Sequence, residues 1–455
     1  MAHSSGYVVP CLGPDPIHET QGMNNSVCGN GGCIIASNLH NSAEVLPSMI
    51  VQLARLAHVL GPANILVSVY ESGSTDATRD WLDLLRGVLG ALSVRHVITS
   101  QGSLTRSRGQ DRIAFLASVR QAAVDQAAAA CASSRFSRSA GACSASRLVF
   151  INDVFFAAAD VVRLLQYGVN TGGDAADGSG YDVACGMDFE PILADLPPAR
   201  QRDAMTSHLQ RTWGLAEPTA ARLSTWPLAF RYWKKAYRRA PSLLRSLPLL
   251  FYDIWVARDL TGARLHRAAP YVAHAASAKR LRAGLPTEVY CCWNGLVALA
   301  AEPLLPGRSG GSVRFRAGDV AVGECAASEC SLLCDDLRRL GRGAAVMDPG
   351  VRVTYRRVAA ERLFASREGT DGASVDAGSS TISGAADDDY TGIEINSREE
   401  WSAGVLADLA AWRRQHVSAD VPRSVECCGL RPGSEGVDFE HGCSRVPAPR
   451  GPAAP

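Results

Sequence analysis

The chain has almost no charge imbalance: 46 lysines and arginines stand against 45 aspartates and glutamates over 455 residues, a formal net charge of +1. A dedicated nucleic-acid binder needs a strong basic excess to neutralise phosphates, so that class is excluded. No run approaches the roughly 20 continuous apolar residues of a membrane-spanning helix. The opening MAHSSGYVVPCLGPDP has neither the basic nor the apolar segment of a signal peptide. Fourteen cysteines are present, but none forms the C-x2-C pair that marks a structural zinc site. What remains is 47% hydrophobic and 20% charged, the composition of a chain that folds.

The cysteines fall in groups: Cys28 and Cys33; Cys291 and Cys292; Cys325, Cys330 and Cys334; Cys427, Cys428 and Cys443. Their first reading is buried thiols, and their second is disulfides formed in an oxidising lumen. A single sequon, Asn24-Asn25-Ser26, suits a secretory enzyme.

Residues 1–30, rich in Gly, Pro, Ser and Asn, read as a disordered lead-in. A buried strand is expected at Cys33–Ser37, then a helix with Leu46, Met49, Ile50, Leu53, Ala57 and Leu60 on one face, stopped by Gly61-Pro62. A second strand, Ile65–Tyr70, runs into the turn 71–76. The helix that follows carries Trp81, Leu82, Leu85, Val88 and Leu89, with Ser74 or Thr75 as its cap and Asp76 facing its positive end. A helix is expected at about 111–130, a loop insertion at 131–146, a strand at 148–151, and a further helix around Val161–Leu165. This alternation predicts a doubly wound, mostly parallel α/β sheet with helices on both faces and loop insertions. Such sheets bind ligands at the carboxyl ends of their strands, where the polar tips fall.

Further along, 170–180 is turn-like and 366–395 is a low-complexity insertion. The basic, aromatic segment 229–239 reads as an amphipathic surface helix. Helical character returns at 398–415 with Trp401, Leu409 and Trp412, ahead of a Pro/Gly-rich tail after 429. The expected organisation is a lead-in at 1–30, one α/β domain at 31–360 and a C-terminal segment at 396–455. Within the domain, a nucleotide-binding half ends near 190 and an acceptor half follows.

The strand tips carry the chemistry. Glu71 and Asp76 flank a tight Gly-Ser turn, and Asp153 ends an apolar strand. Carboxylates suit the N–H groups of a base and the hydroxyls of a ribose, and an Asp at a strand end suits a divalent metal on a diphosphate. Arg112 and Arg120 lie on the intervening helix, in reach of phosphate. The alternative for Asp153 is a cap on the next helix. Tyr252 and Trp255 stand among Asp253, Arg258 and Asp259, and rings beside carboxylates suit a sugar; an Arg258–Asp259 ion pair is the structural alternative. His40 and His96 have no spaced partner and read as structural or incidental.

Five segments, ESGSTDAT, FINDVFF, YDVACGMDF, FYDIWVARDLTG and SECSLLCDDL, occur in an order that resembles the fungal capsule-associated α-1,3-mannosyltransferases, glycosyltransferase family 69, over about 33–355. The resemblance implies a GT-A-like glycosyltransferase that moves mannose from GDP-mannose to an oligosaccharide or polysaccharide acceptor, with Mn2+ or Mg2+ on Asp153. Within it, Glu71, Ser72, Asp76, Arg112, Arg120 and Asn152 would serve the donor. Asp253, Trp255, Arg258 and Asp259 would serve the acceptor. Asp188 would lie in the acceptor loop, and Glu288 or Glu329 would act as nucleophile or stabilising carboxylate. The sequence departs from the family pattern at Ser72, at Gln121 after Arg120, and at Asn152-Asp153-Val154, where two carboxylates usually flank one residue. Glu71 and Asp153 are left as the principal charges. The alternatives are a UDP-sugar donor, or a non-catalytic relative assisting polysaccharide assembly or export. The family resemblance further implies a Golgi-lumenal enzyme, here expected to be membrane-associated through an N-terminal anchor missing from this chain.

Overall fold

The computed structural model describes residues 27–28, 32–132, 147–168, 180–192, 198–224, 244–245, 247–305, 313–326, 328–368, 403–416, 422–428 and 443–449. The sequon, most of the expected lead-in, the insertions at 133–146 and 170–179, the basic segment 229–239, the low-complexity stretch from 369, Trp401 and the tail at 429–442 lie outside the described residues.

Two largely apolar runs make β1 (Cys33–Leu39) and β2 (Ile65–Glu71), buried as strands covered on both faces must be. Between them, α1 (Leu46–Leu60) buries the stripe anticipated from its period, including Leu46, Met49, Leu53 and Leu60. Gly61 ends it at φ 84°, a conformation glycine adopts without strain. Then come α2 (Thr78–Ala91), β3 (Arg95–Thr99), α3 (Arg112–Ala132), β4 (Arg147–Ile151), α4 (Ala158–Gln166), β5 (Val183–Pro191), α5 (Pro198–Trp213), α6 (Glu217–Ser224) and β6 (Leu249–Phe251). The chain continues through α7 (Ala275–Arg282), β7 (Thr287–Val289), β8 (Leu296–Ala300), α8 (Glu329–Arg339), β9 (Ala345–Val353), α9 (Arg357–Glu368), α10 (Ala403–His416) and a hairpin of β10 (Ser424–Cys428) with β11 (Cys443–Pro447).

Nine strands form one sheet in the order β3-β2-β1-β4-β8-β5-β9-β7, with β6 beside β5. β3, β2, β1, β4, β5 and β9 run one way; β8, β6 and β7 run against them. The expected mostly parallel α/β sheet is therefore what the chain adopts. β8 inserts between β4 and β5, so strands from both sides of residue 190 share one sheet. Residues of α1, α2 and α4 fill the core on one face, and α3, α8 and the 254–293 segment fill it on the other. α3 is alanine-rich and lies close to the sheet, where its Ala123 carbonyl accepts the Ser68 hydroxyl at 2.6 Å. Gly186 is required by close packing as well: a Cβ there would sit 2.5 Å from Val351 Cγ1.

Three expectations are corrected. Ser74 and Thr75 do not cap α2, which starts after Ala77 without a side-chain cap; Ser74 Oγ accepts the Asn41 N–H instead. The thiol reading of the cysteines fails for ten of them, which pair as Cys28–Cys33, Cys185–Cys292, Cys291–Cys334, Cys325–Cys427 and Cys428–Cys443. Part of the tail, read only as Pro/Gly-rich, is the strand β11, tied to β10 by the last of these bridges. No described helix is long and apolar enough to cross a membrane.

Candidate active site

Parallel pairing puts the ends of β1, β2 and β4 at one edge, with Leu39 level with Glu71. Glu71 is fully buried. Its Oε1 accepts the Ser74 N–H at 2.8 Å across a turn made possible by Gly73 at φ 72°. Its Oε2 meets no hydrogen-bond donor among the described residues, and Arg79 Nε stands 3.7 Å away. Ser72 contributes its carbonyl, 2.9 Å from His40 Nδ1. Asp76 is spent on structure rather than on a donor. Its Oδ1 accepts the Thr78 N–H and hydroxyl at 3.0 and 2.5 Å, and its Oδ2 accepts the Ala43 N–H at 3.1 Å. Burial opposes ionisation there, yet these hydrogen bonds outweigh it and hold the carboxyl below its ordinary range.

At the end of β4, Asn152 is fixed from three sides. Its N–H donates to the Gly295 carbonyl at 2.9 Å, its Nδ2 donates to Tyr355 Oη at 3.1 Å, and its Oδ1 accepts from Trp293 Nε1 at 3.2 Å. Asn152 thereby aims the next residue, Asp153. The helix-cap alternative for Asp153 fails, because the Ala157 N–H that opens α4 is held by Asp160 Oδ2. Burial pushes the Asp153 carboxyl up, while the charges of Arg120 and His40 pull it back.

Asp188, near the end of β5, is fully buried. Its Oδ1 accepts the Asp253 N–H at 3.0 Å and its Oδ2 meets no donor among the described residues. Asp253 in turn accepts the N–H groups of Val256 and Asn294, at 3.2 and 3.1 Å. Burial raises both carboxyls, and the charge of Asp253 raises Asp188 further, to well above its ordinary value. Rings stand beside this pair: Tyr252 packs edge-on to Trp255 at 4.9 Å and to Tyr355 at 5.5 Å between centroids. The Tyr252 phenol is pushed up to about 12, first by burial and then by Asp188. The Tyr355 phenol is raised first by burial and then by the charges of Asp188, Asp153 and Asp253. Arg112 is exposed at the start of α3, with its charge felt at Tyr252.

The other predicted residues are placed differently. Arg120 and Glu329, assigned to donor and chemistry, are buried and paired with each other. Arg120 also lies over the Trp293 ring at 5.1 Å and donates to Cys330 Sγ at 3.2 Å. Glu288 is not brought to this edge. β7 pairs antiparallel to β9 with Glu288 level with Val346, at the end of the sheet where β5 begins. There it accepts from Tyr181 Oη at 2.7 Å and Arg413 Nε at 3.0 Å. Asp259 saturates both oxygens on the Thr261, Ala263, Ala273 and His274 N–H groups and the Thr261 hydroxyl, so it holds a turn rather than a sugar. Arg258 is buried against the Ile254, Ala257 and Glu426 carbonyls, so neither the acceptor role nor the Arg258–Asp259 pair is present. Two site members escaped the sequence reading. His40 was set aside for want of a spaced partner, and Tyr355 sits just past β9 with no local signature.

Among the described residues, the only three groups close enough to hold one ion together are Glu426, Cys428 and Cys443, and both of those sulfurs are in a disulfide. Asp153 fits a divalent cation in another way. It is a hard oxygen donor just past the end of β4, and a ligand carrying its own oxygens would complete the coordination.

Carboxylates gathered at the carboxyl edge of a mostly parallel sheet, lined by rings, define an α/β protein built to bind a polar ligand at its strand ends. The chain belongs to the family described as Cryptococcal mannosyltransferase 1, whose model matches residues 32–336. It is 23% identical over 349 residues to the alpha-1,3-mannosyltransferase CMT1 of Cryptococcus neoformans, covering 73% of this chain and 60% of that protein. The chain thus spans about three fifths of that relative's length. Among solved structures it is similar to the Pyrobaculum calidifontis mannosyltransferase PcManGT in complex with GDP-Man and Mn2+, at TM-score 0.33 and 10% identity, covering 75% of this chain and 63% of that one. It is also similar to a mycobacterial protein at TM-score 0.29 and 14% identity, covering 76% of this chain and 72% of that one.

Proposed function

We propose that the chain is a hexosyltransferase that moves mannose from GDP-mannose to a hydroxyl of a mannoside acceptor in an α-1,3 linkage, during glycan or polysaccharide synthesis. Family membership supports the sugar. The observation that carries the site is the Asp188–Asp253 contact beside Tyr252, Trp255 and Tyr355, with Tyr355 Oη bonded to Asn152, the neighbour of Asp153. Mn2+ or Mg2+ on Asp153 would neutralise the charge developing on the departing diphosphate.

The chain's own groups have distinct tasks in this reading. Glu71 Oε2 accepts a proton-bearing group of the base or ribose. Asp188 Oδ2 receives the acceptor hydroxyl. As the bond from the sugar to the diphosphate breaks and the bond to the acceptor oxygen forms, the hydroxyl proton passes to the Asp188–Asp253 pair, whose raised affinity for protons suits that task. The rings offer the acceptor an apolar face. Five disulfides among the described residues support maturation in an oxidising lumen, in keeping with a Golgi-lumenal enzyme.

The test offers the purified chain GDP-mannose, UDP-xylose and UDP-glucose with α-mannobiose, in Mn2+ or EDTA, alongside Asp153→Ala and calorimetry of GDP binding. Metal-dependent transfer from GDP-mannose, lost with Asp153→Ala, is the expected result. Turnover of a UDP-sugar alone would overturn the mannose assignment. A folded protein that neither binds nor turns over any donor would favour the non-catalytic role.

A further inference from the structure

Cys291 and Cys292 are neighbours in the chain, yet each is bonded to a different element. Cys292 reaches Cys185 on β5, and Cys291 reaches Cys334 on α8. The two residues that follow contact the site directly. Trp293 is buried, donates to Asn152 and lies beneath the Arg120 guanidinium. Asn294 is held at φ 53°, outside the range most side chains favour, and its N–H donates to Asp253 Oδ2 at 3.1 Å. Its Nδ2 reaches the Gly186 carbonyl at 2.7 Å, one residue from Cys185. The two elements bridged to this segment carry site residues themselves. β5 bears Asp188, and α8 begins at Glu329, which pairs with Arg120.

We propose that the adjacent cysteines act as a two-way staple. By fixing residues 291–294 to both β5 and α8, they position Asn152, and through it Asp153, relative to Asp253 and Asp188. The four cysteines are positioning residues: they hold the segment whose Trp293 and Asn294 contact Asn152 and Asp253. Noncovalent ties also hold this segment to α8. Tyr290 Oη donates to Asp335 at 2.8 Å, and Arg338 donates to the Tyr290 carbonyl at 2.7 Å. Those ties grip residue 290 only, however. The 293–294 pair lies beyond them and meets β5 through the Asn294 Nδ2 bond to the Gly186 carbonyl, one residue from the Cys185–Cys292 bridge. The bridges supply what hydrogen bonds at 290 cannot.

The inference has a built-in control. Cys185–Cys292 closes a separation of 107 residues, and Cys325–Cys427 closes one of 102, so the chain-entropy contribution of the two bridges is nearly equal. Cys325–Cys427 ties the segment before α8 to the β10–β11 hairpin and touches none of the three carboxylates. A merely stabilising role predicts the same behaviour from both bridges, whereas a positioning role separates them.

The experiment compares Cys185→Ser/Cys292→Ser, Cys291→Ser/Cys334→Ser and Cys325→Ser/Cys427→Ser in the full chain by hydrogen–deuterium exchange and steady-state kinetics. The first two should exchange several-fold faster across 150–154 and 252–256, and lose about tenfold or more in kcat with little change in donor KM. The third should lose comparable thermal stability with neither effect. Equal effects from all three pairs, or unchanged exchange in the first two, would overturn the staple. If a double variant does not fold, brief dithiothreitol treatment of the folded wild type replaces it, with the opened bridges mapped by alkylation and read by the same exchange. Only the kinetic arm rests on the transferase reading. A wild type inactive with every donor would sink that reading and leave the exchange arm to judge the staple.

Discussion

Asp188 and Asp253, 65 residues apart in the chain, meet where Oδ1 of the first accepts the backbone N–H of the second at 3.0 Å. Two buried acids this close cannot both ionise freely, and both carboxyls are raised, Asp188 the more strongly. A carboxyl whose folded value exceeds its unfolded one binds the proton more tightly in the native state. The stability it contributes is therefore present at low pH and lost as pH rises from about 4 through the raised value. Replacing either acid by Asn removes that loss. Asp188→Asn and Asp253→Asn should each raise the melting temperature at neutral pH and flatten its decline with pH. Transfer by Asp188→Asn should fall by about 10²–10⁴-fold, the range for a lost general base. A melting temperature lowered by both substitutions at neutral pH would contradict the assignment.

The Arg120–Glu329 pair is legible in thermodynamics rather than activity. Glu329 is essentially fully buried, so truncating Arg120 leaves its charge uncompensated in a poorly polar setting. Arg120→Ala should cost about 3–5 kcal/mol, whereas the double replacement Arg120→Met/Glu329→Leu should recover most of that loss. Urea unfolding of the two singles and the double forms the cycle. Additive losses would show that the pair is not coupled.

What could be read from the sequence was what repeats locally. α1 and α4 showed their apolar stripes and β4 its unbroken apolar run, and the end of that run at Asn152-Asp153 located a strand tip without any tertiary information. β3 was missed because its residues, Arg95 to Thr99, are all half-buried and carry no clean pattern. The catalytic candidates depended on strand direction, which local sequence does not encode. Asp188 reaches the carboxyl edge because β5 runs with β4, while Glu288 lies at the opposite end because the short β7 pairs with the start of β9, level with Val346. Arg258 and Asp259 looked like a sugar-binding cluster, since charge beside aromatics has the same composition whether it faces a ligand or satisfies buried carbonyls and N–H groups. The cysteine pairing was hidden for a similar reason: Cys291 and Cys292 part in opposite directions, to partners 43 residues downstream and 107 residues upstream.

Asp335, one residue past Cys334 on α8, yields the sharpest pH prediction. Burial pushes its carboxyl up to about 6, against the pull of the Tyr290 hydroxyl that donates to it and of Arg339 and Arg338. Native and unfolded chains therefore differ in bound protons between about 4 and about 6, with the native chain holding more. Stability from this group is full below that window and is lost as pH rises through it. Asp335→Asn keeps an acceptor for Tyr290 Oη and cannot ionise. Its melting temperature should match the wild type near pH 4 and exceed it above pH 6, with the gap opening across that window. Because Arg338 packs over the Tyr290 ring at 4.1 Å, Asp335→Ala is the contrasting variant: it strands the hydroxyl and should lose stability at every pH. Parallel melting curves for wild type and Asp335→Asn from pH 4 to 8 would show that the buried carboxyl does not titrate where its surroundings place it.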